Sequence, residues 1–274
     1  MTDNPLTEVY RDPWLLAVHK PAGLLVHRSP IDKHETVFAL QFARQLNGGG
    51  HVYPVHRLDR PTSGLLLFAR DPQTASLMGR ALMAGEVSKT YVAMVRGWTP
   101  DEGLIDHPLR EEPEDRRRLA EPQPVREART RFRRLATTEI AVAIETYPTS
   151  RYSLVALYPE TGRQHQLRRH MKHINHPIIG DAYHGRGRHN RYFAQRFGQG
   201  RLMLAATGMA FTHPATGARL ELRAAPEASF LEVGAMFAGN PLAPFMQGAP
   251  TPADPNADKP SQAIDKETTS HAGN

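Results

Sequence analysis

The clearest pattern along the chain is the unbroken apolar run Leu65-Leu66-Leu67-Phe68-Ala69, too short for a helix and suited to a strand covered on both faces. Trp14 to Val18 reads as another strand, turning through His19-Lys20-Pro21-Ala22-Gly23 and resuming at Leu24-Leu25-Val26. In Lys89 to Gly97, Tyr91, Ala93 and Val95 alternate onto one face, the period-two mark of a strand. Tyr152 to Tyr158 gives one more, and Leu202 to Phe211 with Arg219 to Arg223 forms a hairpin across His213-Pro214-Ala215-Thr216-Gly217. Helical spacing appears over Thr36 to Leu46, which stops at Gly48-Gly49-Gly50, and over Pro72 to Ala84, which stops at Gly85. Strands and helices in this order, joined by hairpins, predict an α+β domain on a largely antiparallel sheet.

From about residue 240 the pattern fades. Gly248 to Asn274 is rich in Pro, Ala, Asp, Ser and Thr and nearly lacks large apolar side chains, so residues 241–274 are expected to form a disordered tail behind a single domain of residues 1–240. With 274 residues and no cysteine, disulfides, thiolate nucleophiles and Cys-ligated zinc are excluded. The first residues lack an apolar leader and no run approaches a membrane span, which makes a cytoplasmic protein the expectation. Lys plus Arg number 34 against 28 Asp plus Glu. The surplus clusters in two regions, Arg116-Arg117-Arg118 continuing to Arg126, Arg129, Arg131, Arg133 and Arg134, and then Arg186, Arg188, Arg191, Arg196 and Arg201. Such clusters fit either a phosphate backbone or a solvated surface. The first is interleaved with acids, while the second has Tyr183, Tyr192 and Phe193 nearby and points to nucleic acid.

Two segments carry candidate chemistry. In His56-Arg57-Leu58-Asp59-Arg60-Pro61-Thr62-Ser63-Gly64 a single carboxylate lies between two arginines, just before a turn that opens onto the apolar strand. Opposite charge at close range favours the ionised carboxylate, a nucleophile rather than an acid; an ordinary Asx turn has the same composition. In Thr161-Gly162-Arg163-Gln164-His165-Gln166-Leu167-Arg168-Arg169-His170-Met171, Leu167 and Met171 extend to Ile174 as one helical stripe, with His165, Arg169 and Lys172 opposite. Arg168 falls at the border of that stripe, where it either reaches into a cleft toward an anion or lies along the surface. His170 and His173 have the spacing to share a face, but the stretch lacks His-Glu-x-x-His and carries Arg169 and Lys172, so no metal is expected.

The stretch from His56 to Gly64 closely resembles the signature around the catalytic aspartate of the RluA-type pseudouridine synthases. Three further stretches match that family in order: Lys20-Pro21-Ala22-Gly23, Lys89-Thr90-Tyr91, and Gly162 to His170 continuing to His176-Pro177-Ile178-Ile179-Gly180-Asp181. The likeness spans roughly residues 8 to 225. Val26-His27-Arg28-Ser29, Tyr147-Pro148-Thr149-Ser150-Arg151-Tyr152 and the doubled Arg168-Arg169 are most similar to members that act on uridine 65 in the acceptor/T-stem region of tRNA.

The resemblance implies a mixed, mostly antiparallel sheet with a central cleft flanked by helices and loops. It implies an isomerase that detaches uracil from ribose and rejoins it through carbon 5, with no cofactor and no metal. Asp59 is then the catalytic residue, Tyr91 stacks on the extruded base, Arg168 pairs with Asp59, and Leu204 lies under the uracil. Arg57 and Arg60 are expected to serve the RNA backbone as well as the aspartate. Relatives often carry histidine after that leucine; this chain has Ala205. Few residues precede the first strand, so no N-terminal RNA-binding module is expected, and a monomer is the default. A glycoside hydrolase needs a second placed carboxylate. A zinc deaminase needs Cys-x-x-Cys. His-Arg-Leu-Asp has the order of a kinase catalytic loop, but no glycine-rich phosphate loop precedes it. An rRNA-directed member of the family and a non-catalytic RNA-binding protein are the remaining alternatives.

Overall fold

The run expected to be covered on both faces is strand β4 (Ser63–Ala69), and all seven of its residues are buried. In the computed structural model, which describes residues 4–27, 35–112, 123–198 and 200–246, β4 is flanked by β2 (Leu15–Lys20), antiparallel, and β11 (Leu204–Thr212), parallel. The strand begins at Ser63, so the residues read as its turn overlap its first two positions. Before it, Thr62 N donates to Asp59 O at 3.0 Å and closes the turn that carries Asp59.

Around this centre the other strands assemble by the expected alternation. They are β1 (Thr7–Arg11), β3 (Tyr53–Pro54), β5 (Ser88–Arg96), β6 (Glu102–Asp106), β9 (Arg129–Ile140), β10 (Ser150–Pro159) and β12 (Arg219–Arg223). Among the described residues they form one sheet in the order β1-β2-β4-β11-β5-β10-β9-β6, with β12 beside β11 and β3 beside β4; β7 (Leu109–Arg110) and β8 (Val125–Arg126) pair separately. Every pairing except β4 with β11 is antiparallel. Five helices among the described residues accompany the sheet: α1 (Ala39–Leu46), α2 (Pro72–Met83), α3 (Gln166–His173), α4 (Gly187–Phe197) and α5 (Ala228–Gly234). Helix α2 starts where the sequence says, because Asp71 Oδ1 accepts from Thr74 N at 2.8 Å and Pro72 occupies the first helical position.

Two apolar clusters flank the join of β4, β11 and β5. One contains Leu16, Leu66 and Phe68, the other Met94, Leu154 and Phe230, and Tyr91 packs against both. The join tolerates no side chain at Gly64, whose φ is +108° and where a Cβ would lie 2.1 Å from the carbonyl oxygen of Ala206. Gly64→Ala is therefore expected to lower unfolding stability by on the order of 4 kcal/mol, read from urea denaturation, since both the backbone angle and the β4–β11 pairing must yield.

Several expectations need correction. Leu24 to Val26 forms no strand, only an isolated bridge from Leu25 to Phe38, because Lys20 Nζ folds back to hold the Leu24 carbonyl at 2.8 Å. Helix α1 begins at Ala39 rather than Thr36, with Phe38 as its N-cap. The packed chain also runs past residue 240: a 3-10 turn over Ala243–Phe245 follows Leu242, which is 4 % exposed within the second cluster. Residues 247–274 of the expected tail lie outside the described residues. Among those described, no helix is long and apolar enough to cross a membrane.

Candidate active site

Asp59, Tyr91, Arg168, Leu204 and Arg57 line one cavity of about 690 Å³, within the size range of small-molecule sites. Four separate segments bring them there. The turn before β4 presents Asp59, β5 presents Tyr91, the first turn of α3 presents Arg168, and the start of β11 presents Leu204. Arg60 does not line this cavity. Its guanidinium is turned to Glu35 Oε1 at 2.7 Å and to the Gly23 carbonyl at 3.0 Å, a tether between loops outside the cavity.

The ambiguity over Arg168 resolves inward. Its side chain is 3 % exposed, with Nη1 3.1 Å from Asp59 Oδ2 and a two-point contact to Asp181, Nε to Oδ2 at 2.7 Å and Nη2 to Oδ1 at 2.8 Å. Burial by itself would pull the guanidinium down, but hydrogen bonds and charge from Asp181, then Asp59, raise it overall. Asp181 shows the converse: burial pushes its carboxyl up, while Arg168 and the backbone N–H groups of His184 and Tyr183 bring it below the usual range. Asp181 stood in the matched sequence stretch without a role. Its function is to anchor the arginine, leaving one guanidinium edge for Asp59. Burial, followed by the charge of Asp59, raises Tyr91, which therefore remains a neutral phenol.

Behind Asp59 lies a polar frame. Lys20, fully buried, donates from Nζ to the carbonyls of Pro21, Leu24 and Arg60 at 2.9, 2.8 and 3.2 Å; burial lowers it to about 7. Arg201 donates from Nη2 to Ser63 Oγ at 2.7 Å and pairs through Nη1 with Glu227, whose Oε1 accepts from Ala22 N at 3.1 Å. The loop bearing Asp59 is thus held from two sides, by Lys20 and by Arg201. Arg201 is spent on this frame and leaves the basic region to which the sequence assigned it.

His56 accepts from Leu67 N through Nε2 at 3.2 Å, and burial lowers it to about 4. In the unfolded chain it binds a proton below about 6.5. Between those values the unfolded chain holds more protons, so stability falls as pH falls. His19, His170 and His189 are lowered by burial in the same sense. Urea unfolding at pH 7.5 and pH 5 is expected to differ by about 2 kcal/mol or more; equal midpoints would contradict histidines held neutral by the fold.

The two basic regions separate. Arg126, Arg129 and Arg131 pair with Glu111, Asp106 and Glu160 at 2.9, 2.9 and 2.5 Å, and Arg134 pairs with Asp101. Much of the first region is therefore offset by its own acids; Arg116-Arg117-Arg118 lies outside the described residues. In the second region Phe193 is a core residue, whereas Tyr183 is 72 % exposed and α4 carries Arg188, Arg191 and Arg196.

His170 and His173 form no ligand pair. His170 is bonded to Thr130 Oγ1 and the His107 carbonyl, and His173 stacks on His107 at 3.7 Å. The one trio with ligand atoms near one another among the described residues is Glu112, His165 and His184. His165 Nδ1 lies 3.4 Å from Glu112 Oε2 and 3.4 Å from His184 Nε2, and Arg169 Nε approaches the same carboxylate at 3.9 Å.

Residues 14–173 match the family model described as RNA pseudouridylate synthase. The chain is 46% identical over 258 residues to tRNA pseudouridine synthase C of Pectobacterium carotovorum subsp. carotovorum, covering 91% of this chain and 67% of that protein. It is 48% identical over 218 residues to tRNA pseudouridine synthase C of Vibrio cholerae, covering 79% and 89%. Among solved structures, Human RNA Pseudouridylate Synthase Domain Containing 1 aligns over 85% of this chain and 88% of that one, with a TM-score of 0.63 at 27% identity.

Proposed function

Because the chain belongs to the RNA pseudouridylate synthase family, we propose that it isomerises uridine to pseudouridine in tRNA, at uridine 65. The observation that carries the reading is the convergence on one cavity of Asp59, held 3.1 Å from Arg168, with Tyr91 and Leu204. In the reaction the bond from uracil N1 to ribose C1′ breaks, the ring turns, and C5 bonds to C1′; N1 ends protonated and C5 loses its proton. Asp59 initiates this exchange as the cavity's reactive carboxylate. Glu160 also lines the cavity but is tied to Arg131 at 2.5 Å.

Tyr91, on a strand packed between two apolar clusters, offers a rigid face for the extruded base, and Leu204 an apolar floor. Arg57 at the exposed rim meets the RNA. The narrower assignment to tRNA draws on the relatives named tRNA pseudouridine synthase C. We take the enzyme to work in the cytoplasm as a monomer, and to need no metal or cofactor because one carboxylate and a stacking platform suffice for the isomerisation.

Isomerisation leaves mass unchanged, so the test is carbodiimide mapping of pseudouridine in RNA from cells with and without the protein. Loss of the mark at tRNA position 65 is expected. A lost rRNA mark with tRNA intact would overturn the substrate, and no lost mark at all would overturn the activity.

A further inference from the structure

Among the described residues, Lys89 forms no ion pair. It stands two residues before Tyr91 on β5, so both side chains leave the same face of the strand, and both line the cavity. Its Nζ reaches the far wall: a Cβ placed on Gly162, in the loop before α3, would be 3.8 Å from it. Among the described residues no hydrogen bond or ion pair to Nζ is formed. The cations of the surrounding frame are all differently placed: Lys20 has three carbonyls, Arg168 two carboxylates and Arg201 a carboxylate and two hydroxyls. Burial lowers the pKa of Lys89, and its charge in turn lowers His56.

A half-enclosed ammonium with no protein partner among the described residues is costly, and an anion brought by the ligand offsets that cost most fully. Resting on the reading of the cavity as the uridine site, we propose that Lys89 is a phosphate-binding residue, pairing with the phosphodiester next to the extruded uridine and thereby fixing how deeply that nucleotide enters beside Tyr91. Uracil carbonyls are neutral acceptors and leave the charge uncompensated; a phosphate oxygen neutralises it. Lys89 on β5 and Gly162 opposite both line the cavity, and the lack of a side chain at Gly162 keeps that wall clear of the ammonium.

Removing one phosphate contact lowers the slope of log Kd against log salt by about 0.7 to 0.9. Affinity for an in-vitro transcribed tRNA is measured across salt in the Asp59→Asn background, where no product accumulates. Lys89→Met is expected to weaken binding about tenfold and to reduce the slope by that amount, whereas Lys89→Arg keeps the slope. A methylphosphonate at the linkage flanking the target uridine, tried on its 5′ and 3′ sides, is expected to weaken the lysine form about tenfold on one side and the methionine form not at all, the coupling of a direct pair. An unchanged slope, whether affinity is kept or lost, overturns the proposal, as does additive weakening by the methylphosphonate. If Lys89→Met does not fold, the Lys89→Arg form and the methylphosphonate series on the lysine form decide it. Pseudouridine mapping tests the reaction separately, so failure of the phosphate contact is distinguishable from failure of the enzymatic reading.

Discussion

Asp59→Asn is expected to reduce single-turnover pseudouridine formation by about 10³-fold or more, because the amide keeps the shape of the carboxylate and loses its nucleophilic charge. The fold should survive the change. Arg168 retains its two-point contact with Asp181 at 2.7 and 2.8 Å, so the buried guanidinium keeps a full counter-charge. RNA affinity should be equal or higher, since an anion has been removed from a site that meets phosphates. Mapping of product with filter binding on the same preparation separates the two effects. Retained modification would remove Asp59 from the chemistry; lost binding with normal folding would make it a contact rather than the initiating group.

The second large effect concerns stability. Asp181→Ala is expected to cost about 3–5 kcal/mol, the penalty of leaving a buried charge with its principal partner gone. In a domain of this size that corresponds to a melting temperature lower by roughly 6–20 °C. The side chains of Arg168 and Asp181 are 3% and 0% exposed, so solvent does little to compensate. The paired change Arg168→Met with Asp181→Leu should recover part of the stability, because an apolar pair needs no desolvation of charge while the Tyr183 and His184 N–H groups lose their acceptor, and it should remain inactive without a cation beside Asp59. Stability and activity recovered together would mean that the arginine only fills space. A loss below about 1 kcal/mol for Asp181→Ala would show the pair to be screened like a surface contact.

Much of the architecture was legible from side-chain patterning. β4, β5, β10 and the β11–β12 hairpin follow the apolar runs and alternations closely, because strands buried on one or both faces must repeat with period two or run continuously. Helix α2 was legible at both ends, since capping is a local interaction between Asp71, Pro72 and the first helical turn. The long strand β9 was less so: its arginines at 129, 131 and 133 fall on the exposed face, and in sequence they read as a charge cluster rather than as alternation. Helix α4 was hidden similarly, with an apolar face resting mainly on Phe193, Tyr192 and Phe197.

For the site, the sequence by itself determined the reactive types and their order: an aspartate before a turn, an aromatic on a strand, an arginine at the border of a helical stripe. Those are local facts, set by spacing and backbone preference within a few residues. Tertiary structure alone decided the partners. Asp59 and Arg168 are 109 residues apart in sequence and 3.1 Å apart in space, and no periodicity encodes that distance. The same holds for the parallel join of β4 with β11 over Gly64, and for the separation of arginines by what they meet. Arg201 is absorbed by Glu227 and Ser63, Arg60 by Glu35, and Arg168 by Asp181, while Lys89 is left facing the cavity. Side-chain chemistry belongs to the residue, but whether a charge is paired or available depends on which distant segments the sheet brings beside it.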